Sequence, residues 1–155
     1  LDSLLPAQNY FADGKTLHVR TATSIETWRV EYFGFTHDAG EGANIANPDG
    51  DSAVNLWEYG LGGDPTNGVD VGHVPTFGNS AGGLDYVHAR RIGSESELSY
   101  TLESTSNLLS NDWKTADSIQ LPIPGTLDPD FEAVTNRIDT AGKTNEFIRL
   151  RIDAL

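Results

Sequence analysis

The sequence has no cysteine, no methionine, few basic residues and no long apolar run. Without cysteine there is no disulfide, no thiolate metal site and no cysteine nucleophile, so stability must come from packing or from a bound metal. Without methionine there is no initiator residue, which predicts a processed or excised piece of a longer protein. No apolar run approaches bilayer-spanning length and no signal-peptide pattern is visible, so no membrane partner is expected. Ten basic residues against 23 acidic ones leave a net charge of −13. That balance is opposite to the footprint of a nucleic-acid binder, and it suits an extracellular protein that uses divalent cations.

What is present is rich in turns and aromatics. Sixteen glycines and seven prolines punctuate short apolar blocks, and three Trp, five Tyr and six Phe can fill a core. This composition points to an all-β chain of single-domain length. Residues 1–14 are irregular, with Pro6 and the turn signal Asp13-Gly14; residues 1–22 are expected to form a linker or an N-terminal strand, the strand at Thr16 to Thr21. Thr23 and Glu26 have capping-box spacing, Ile25, Trp28 and Tyr32 share a helical face, and Gly34 can end that helix. A polar stretch leads to a second short helix, about Ala53 to Leu61, stopped by Gly62-Gly63-Asp64-Pro65. Strands are then expected at His73–Phe77, Leu84–Arg91, Leu98–Ser104, Ser118–Leu121, Ala133–Ile138 and Phe147–Ile152. Turn clusters such as Gly78-Asn79-Ser80 and Ile123-Pro124-Gly125 separate them. The expected fold is mainly β: a β-sandwich over 67–155 with an N-terminal helix–calcium loop–helix unit, 23–66, packed on it as one module.

The segment Asn47 to Glu58 reads as a twelve-residue cation loop. Asn47, Asp49, Asp51, Ala53, Asn55 and Glu58 occupy positions 1, 3, 5, 7, 9 and 12, the ligand positions of an EF-hand-type loop. Calcium takes 6–8 oxygen ligands, and alternate side chains of a tight loop converge on one point. Ala53 would offer its backbone carbonyl and Glu58 both carboxylate oxygens. Three carboxylates in one turn suit a divalent ion and repel one another without it. Magnesium fits less well, because it keeps several waters and few protein ligands. Two departures stand out: Ser52 replaces the usual glycine at position 6, with Gly50 at position 4, and Asn47 replaces an aspartate at position 1. The plainer alternative is an acidic surface turn ahead of a helix.

The run from Asn47 through Asp49-Gly50-Asp51, Asn55 and Glu58-Tyr59 to Asp64-Pro65 resembles the DPDGDGxxNxxEYxxGxDP element of secreted bacterial proteins, which is similar to single dockerin and thrombospondin type 3 calcium repeats. Trp28 to Gly34 resembles the WrxxxFG lead-in of the same C-terminal modules. Arg90-Arg91, Tyr100 to Ser104, Leu108 and Trp113 resemble their RR…YTVExSxDLxxW element, and Phe147 to Arg151 their FxRLR strand. The resemblance spans about residues 24–153. It implies a calcium-stabilised accessory module without catalytic residues, outside the cell, attached to an upstream glycoside hydrolase, lyase or sulfatase of an aquatic bacterium.

No enzyme motif competes with this reading. His18, His37, His73 and His88 are scattered, and no HExxH occurs; Gly78-Asn79-Ser80-Ala81-Gly82 has G-x-S-x-G spacing but leads into the strand expected at Leu84–Arg91 rather than into a helix, so it is no nucleophile elbow. A polysaccharide, including an anionic algal one, is the expected partner, since arginine pairs its planar fork with sulfate or carboxylate. The candidate contacts are Tyr86, His88, Arg90, Arg91, Arg149, Arg151 and Trp57. In the last strand Ile148, Leu150 and Ile152 share the core face, and Phe147, Arg149 and Arg151 the other. Strand 84–91 has two registers. With Leu84, Tyr86, His88 and Arg90 outward, the last three form a sugar-binding strip; with them inward, Tyr86 and His88 are core and Arg91 points out. The resemblance favours the inward register. The arginines alternatively form cross-strand pairs beside Glu103 and Thr101. Trp57 either packs on the sandwich with Val54 and Leu61 or stands beside the metal. A calcium-binding spacer or sorting module that binds no glycan is the competing function.

Overall fold

The computed structural model describes residues 8–12, 17–80, 83–94 and 97–155. Thr16 and the Asp13-Gly14 turn signal lie outside these residues. The chain is mainly β, with ten strands and two α-helices among the described residues. Strands β1 (Gln8–Ala12) and β2 (Leu17–Thr21) pair as an antiparallel hairpin. The segment expected to be irregular therefore contains a strand, because β2 supplies the backbone partners that its own sequence does not advertise.

Helix α1 (Ser24–Phe33) starts at the capping box. The Glu26 amide donates to Thr23 Oγ1 and the Thr23 amide donates to Glu26 Oε2. Its Trp28 is buried against Tyr32, Phe33 and Tyr59, with centroids 5.2, 5.9 and 5.7 Å away. A one-turn 3-10 helix (Gly40–Gly42) and the acidic loop follow, then helix α2 (Asn55–Leu61), two residues shorter at its start than expected. Both α-helices stop at a glycine in the left-handed region, Gly34 at φ 78° and Gly62 at φ 82°, where a side chain would clash with the backbone.

Strands β3 (Thr76–Ser80), β4 (Gly83–Arg91), β5 (Leu98–Thr105), β6 (Lys114–Thr115), β7 (Ser118–Gln120), β8 (Gly125–Thr126), β9 (Phe131–Ile138) and β10 (Phe147–Ala154) form two antiparallel sheets. One has the order β3-β4-β9-β7, with β8 also on β9; the other is β10-β5-β6. Gly78-Asn79-Ser80, expected as a turn, is the second half of β3, where Gly78 pairs with Asp85 and Ser80 with Gly83. An edge position tolerates such residues when the ladder holds them. His73, expected in that strand, instead donates its amide to Leu61 O and places Nε2 2.9 Å from Asp128.

One core joins the elements. It contains Trp28 of α1, Tyr59 and Leu61 of α2, Tyr86, Phe131 and Ile138 of the larger sheet, and Leu98, Leu102, Leu150 and Ile152 of the smaller. Helix α2 is tied to both sheets. Tyr100 Oη donates to Gly60 O at 2.9 Å, and Arg91 Nε donates to Tyr59 O at 2.8 Å. Gly60 sits close to β10: a Cβ there would lie 2.9 Å from Ile152 Cδ1, which would have to shift. No described helix is long and apolar enough to cross a membrane.

Candidate metal centre

The acidic loop ends on α2, so the packing of that helix sets where its carboxylate points. Asn47 shapes the turn: Oδ1 accepts from the Gly50 amide at 2.9 Å, and Nδ2 donates to Asp51 O at 2.9 Å. Gly50 takes φ 75°, so the left-handed residue sits at position 4 of the loop rather than at position 6, where Ser52 stands. Asn47 itself remains exposed.

The next ligand positions turn inward. Asp49 Oδ1 accepts from the Asp51 amide at 3.2 Å, and Asp51 Oδ1 accepts from the buried Ala53 amide at 2.5 Å. Each aspartate therefore has one oxygen tied to the loop and one left over. The buried side-chain polar atoms without a hydrogen-bond partner, among the described residues, are Asp49 Oδ2, Asp51 Oδ2, Asn55 Oδ1 and both carboxylate oxygens of Glu58. All five belong to the loop. Asp49, Asp51 and Glu58 can each bring an oxygen to within 4.8 Å of the others. Buried polar atoms are nearly always satisfied, and each orphan costs about 1–3 kcal/mol or more when charged. Five in one place, all oxygen acceptors, fit a cation; this cluster could hold a metal ion.

The electrostatics agree. Glu58 is 0% exposed. Burial pushes its carboxyl up to about 7, with further upward pushes from Asp49, Asp51, Asp64 and Asp70. A cation there would offset both effects by favouring the charged carboxylate.

The expected glycan contacts divide into two groups. Tyr86 and His88 are core residues, 4% and 5% exposed, so the outward strip of strand 84–91 does not exist. The reason lies in what packs on that face: the His88 ring stacks on Tyr100 of β5, centroids 5.8 Å apart, and the Tyr86 ring meets Phe77 edge-on at 4.9 Å. Burial lowers the His88 pKa, and that of Tyr86 is pushed up to about 12. Arg90 is paired with Glu132, Nε to Oε1 at 2.6 Å. Arg91 does not point into solvent: its guanidinium lies between the Tyr59 and Phe131 rings, 4.4 and 4.5 Å from their centroids. Trp57 is half-buried against the core.

Arg149 and Arg151 do lie on an outer face, that of β10 and β5, with Phe147. Both are bound to Glu103, at 2.7 and 3.3 Å, and Arg151 also to Asp153 at 2.8 Å. Arg149 stacks 4.1 Å above the Trp113 ring. A polar groove of about 330 Å³ nearby is lined by Ser104, Ser106, Ser110, Asp112, Lys114 and Glu146, among others.

Two residues given no site role by the sequence, Glu97 and Arg29 of the Trp28–Gly34 run, matter to this architecture. Glu97 accepts from the Ser24 and Ile25 amides at 2.7 and 3.2 Å and from Tyr59 Oη at 2.7 Å, fastening α1 to α2. Arg29 is 5% exposed, although its charge gave no reason to place it inside. Neither carries a local signal, because their partners lie far away in the chain. The chain matches no family model, no curated protein and no solved structure.

Proposed function

We propose that this chain is a calcium-stabilised, non-catalytic accessory module that helps hold a secreted polysaccharide-active enzyme on its glycan. In this reading the two sheets form a β-sandwich, and α1, the 47–58 loop and α2 form a helix–calcium loop–helix unit clamped to it. The observation that carries the reading is the set of five buried oxygens without partners on Asp49, Asp51, Asn55 and Glu58. Calcium suits them because it accepts many hard oxygen ligands in a flexible shell, and the Ala53 carbonyl and water can complete it. Binding energy gained there becomes folding energy, because α2 carries Glu58 on one side and packs on both sheets with the other.

Glycan recognition rests on the resemblance to modules of polysaccharide-degrading proteins and on the aromatic and guanidinium groups of the outer β10–β5 face. One observation favours the second reading, a calcium-bound spacer or sorting module. Arg149 and Arg151 already have carboxylate partners, which leaves fewer donors for sulfate. Affinity electrophoresis against neutral and sulfated polysaccharides separates the two. Retardation by any of them supports recognition, and no shift with all of them leaves the spacer reading. Calcium is tested apart from this, by the melting temperature with and without chelator.

A further inference from the structure

Asn55 is held by contacts that involve no other residue of the cation cluster. Its Nδ2 donates to two backbone carbonyls, Glu41 O at 2.6 Å and Ala43 O at 2.9 Å. Carbonyls only accept, so the amide cannot turn over, and Oδ1 is committed to the other side, where it is buried without a partner. The same short segment receives the first amides of α2: Asn55 donates to Ala46 O and Leu56 to Asn44 O. This does the work of an N-cap, which Val54 cannot supply by side chain. The segment in turn takes its shape from Arg29 of α1. The guanidinium donates from Nε to Gly42 O at 3.0 Å, from Nη2 to Asn44 Oδ1 at 2.5 Å and from Nη1 to Thr36 O at 3.4 Å.

We propose that Arg29 is a positioning residue for the cation site: it fixes the backbone around Gly42 and Asn44, and the Glu41 and Ala43 carbonyls then orient Asn55 Oδ1 toward the ion. The inference rests on the reading of the 47–58 loop as a calcium site. It reverses the simplest charge argument at the ninth loop position. An aspartate there would add negative charge for the cation, but it would also turn an acceptor toward two carbonyls that need donors. The neutral amide is the residue that can serve both sides. Arg29 cannot be replaced by lysine on the same grounds, since a single ammonium does not reproduce a planar fork reaching three acceptors.

Calorimetric titration of the metal-stripped chain with calcium tests this, with Asn55→Asp, Arg29→Lys, Asn55→Ala and the Arg29→Lys/Asn55→Ala double variant beside the native protein. Asn55→Asp and Arg29→Lys are each expected to weaken calcium binding by about tenfold or more, the usual effect of losing an outer-shell partner. In the Asn55→Ala background, Arg29→Lys is expected to change nothing further, because the path is already cut. The metal-free melting temperature of each variant is measured alongside. An equal loss from Arg29→Lys in both backgrounds makes Arg29 a general structural residue and overturns the proposal. Tighter binding by Asn55→Asp overturns it too, and needs no Arg29 variant to fold. Native binding that neither substitution weakens removes the positioning role alone, whereas no calcium binding by the native chain removes the calcium reading itself.

Discussion

Glu58 and Glu103 are both buried glutamates, 0% and 7% exposed, and their surroundings are opposite. Glu103 lies under Arg149 and Arg151, and the Arg149 hydrogen bond, followed by that of Arg151, holds its carboxyl below the ordinary range against the opposing effect of burial. Glu58 is buried beside acidic neighbours with no hydrogen-bond partner for its carboxylate among the described residues, and its carboxyl is pushed up to about 7. One network closes within the chain. The other leaves its oxygens without partners among the described residues, and could hold a metal ion. The difference separates a site from a scaffold: charge density alone marks both, and unmet hydrogen-bonding capacity marks one.

The largest expected effect is on the open network. At calcium a hundredfold above its Kd, binding adds about 2.7 kcal/mol, so chelation should lower the melting temperature by roughly 5–10 °C. Asp51→Ala should abolish that sensitivity. A chelator that leaves the melting temperature unchanged sinks the comparison at its root.

Glu58→Gln makes the same point with the sign reversed. Removing a buried charge should raise the metal-free melting temperature, by about 2 kcal/mol of stability, while removing the response to calcium. Destabilisation of the metal-free form by this change would mean that Glu58 has a partner within the chain.

A pH series follows from the same group. Its pKa is raised on folding, so its stabilising contribution is complete below about 4.5, the unfolded value, and is lost as pH rises through about 7. The metal-free melting temperature should therefore fall between pH 4.5 and 7, and the Glu58→Gln variant should lack that slope. Calcium, which needs the ionised carboxylate, should oppose the fall. Differential scanning fluorimetry with and without calcium measures all of these curves.

The closed network should respond weakly. Glu103→Gln should cost about 1 kcal/mol or less, as partly exposed pairs do, with calcium affinity unmoved in a calorimetric titration. Trp113→Ala should cost about as much, through its packing and its contact with Arg149. If the outer face binds glycan, Trp113→Ala should also reduce retardation in affinity gels. Retardation left intact would place recognition elsewhere, for instance in the groove near Ser106 and Lys114.

Much of this was legible because it is local. The capping box at Thr23 and Glu26, the helix stops at Gly34 and Gly62, and the core-facing triplet of Ile148, Leu150 and Ile152 need only neighbours along the chain. The same holds for the cluster of Asp49, Asp51, Asn55 and Glu58, since one tight turn and one helical turn bring them together. Other features had no local cause. The face of β4 that turns inward was undecided until packing buried Tyr86 and His88, the latter against Tyr100 of β5. Arg91 reads as an exposed cation by type, yet α2 and β9 place two rings around it. Gly78-Asn79-Ser80 reads as a turn by composition, yet β4 pairs it as a strand.

Periodicity and turn chemistry, which act over a few residues, thus determined from the chain alone the mainly β character, both helices and the acidic turn that could hold a metal ion. Tertiary structure decided which charges are satisfied. Arg149 and Glu103 meet across a β-ladder, Arg29 reaches from one helix into the loop before the next, and the Glu58 carboxylate finds no hydrogen-bond partner among the described residues. Charge pairing depends on distances of a few ångströms between segments far apart in sequence, and only the packed chain sets those distances.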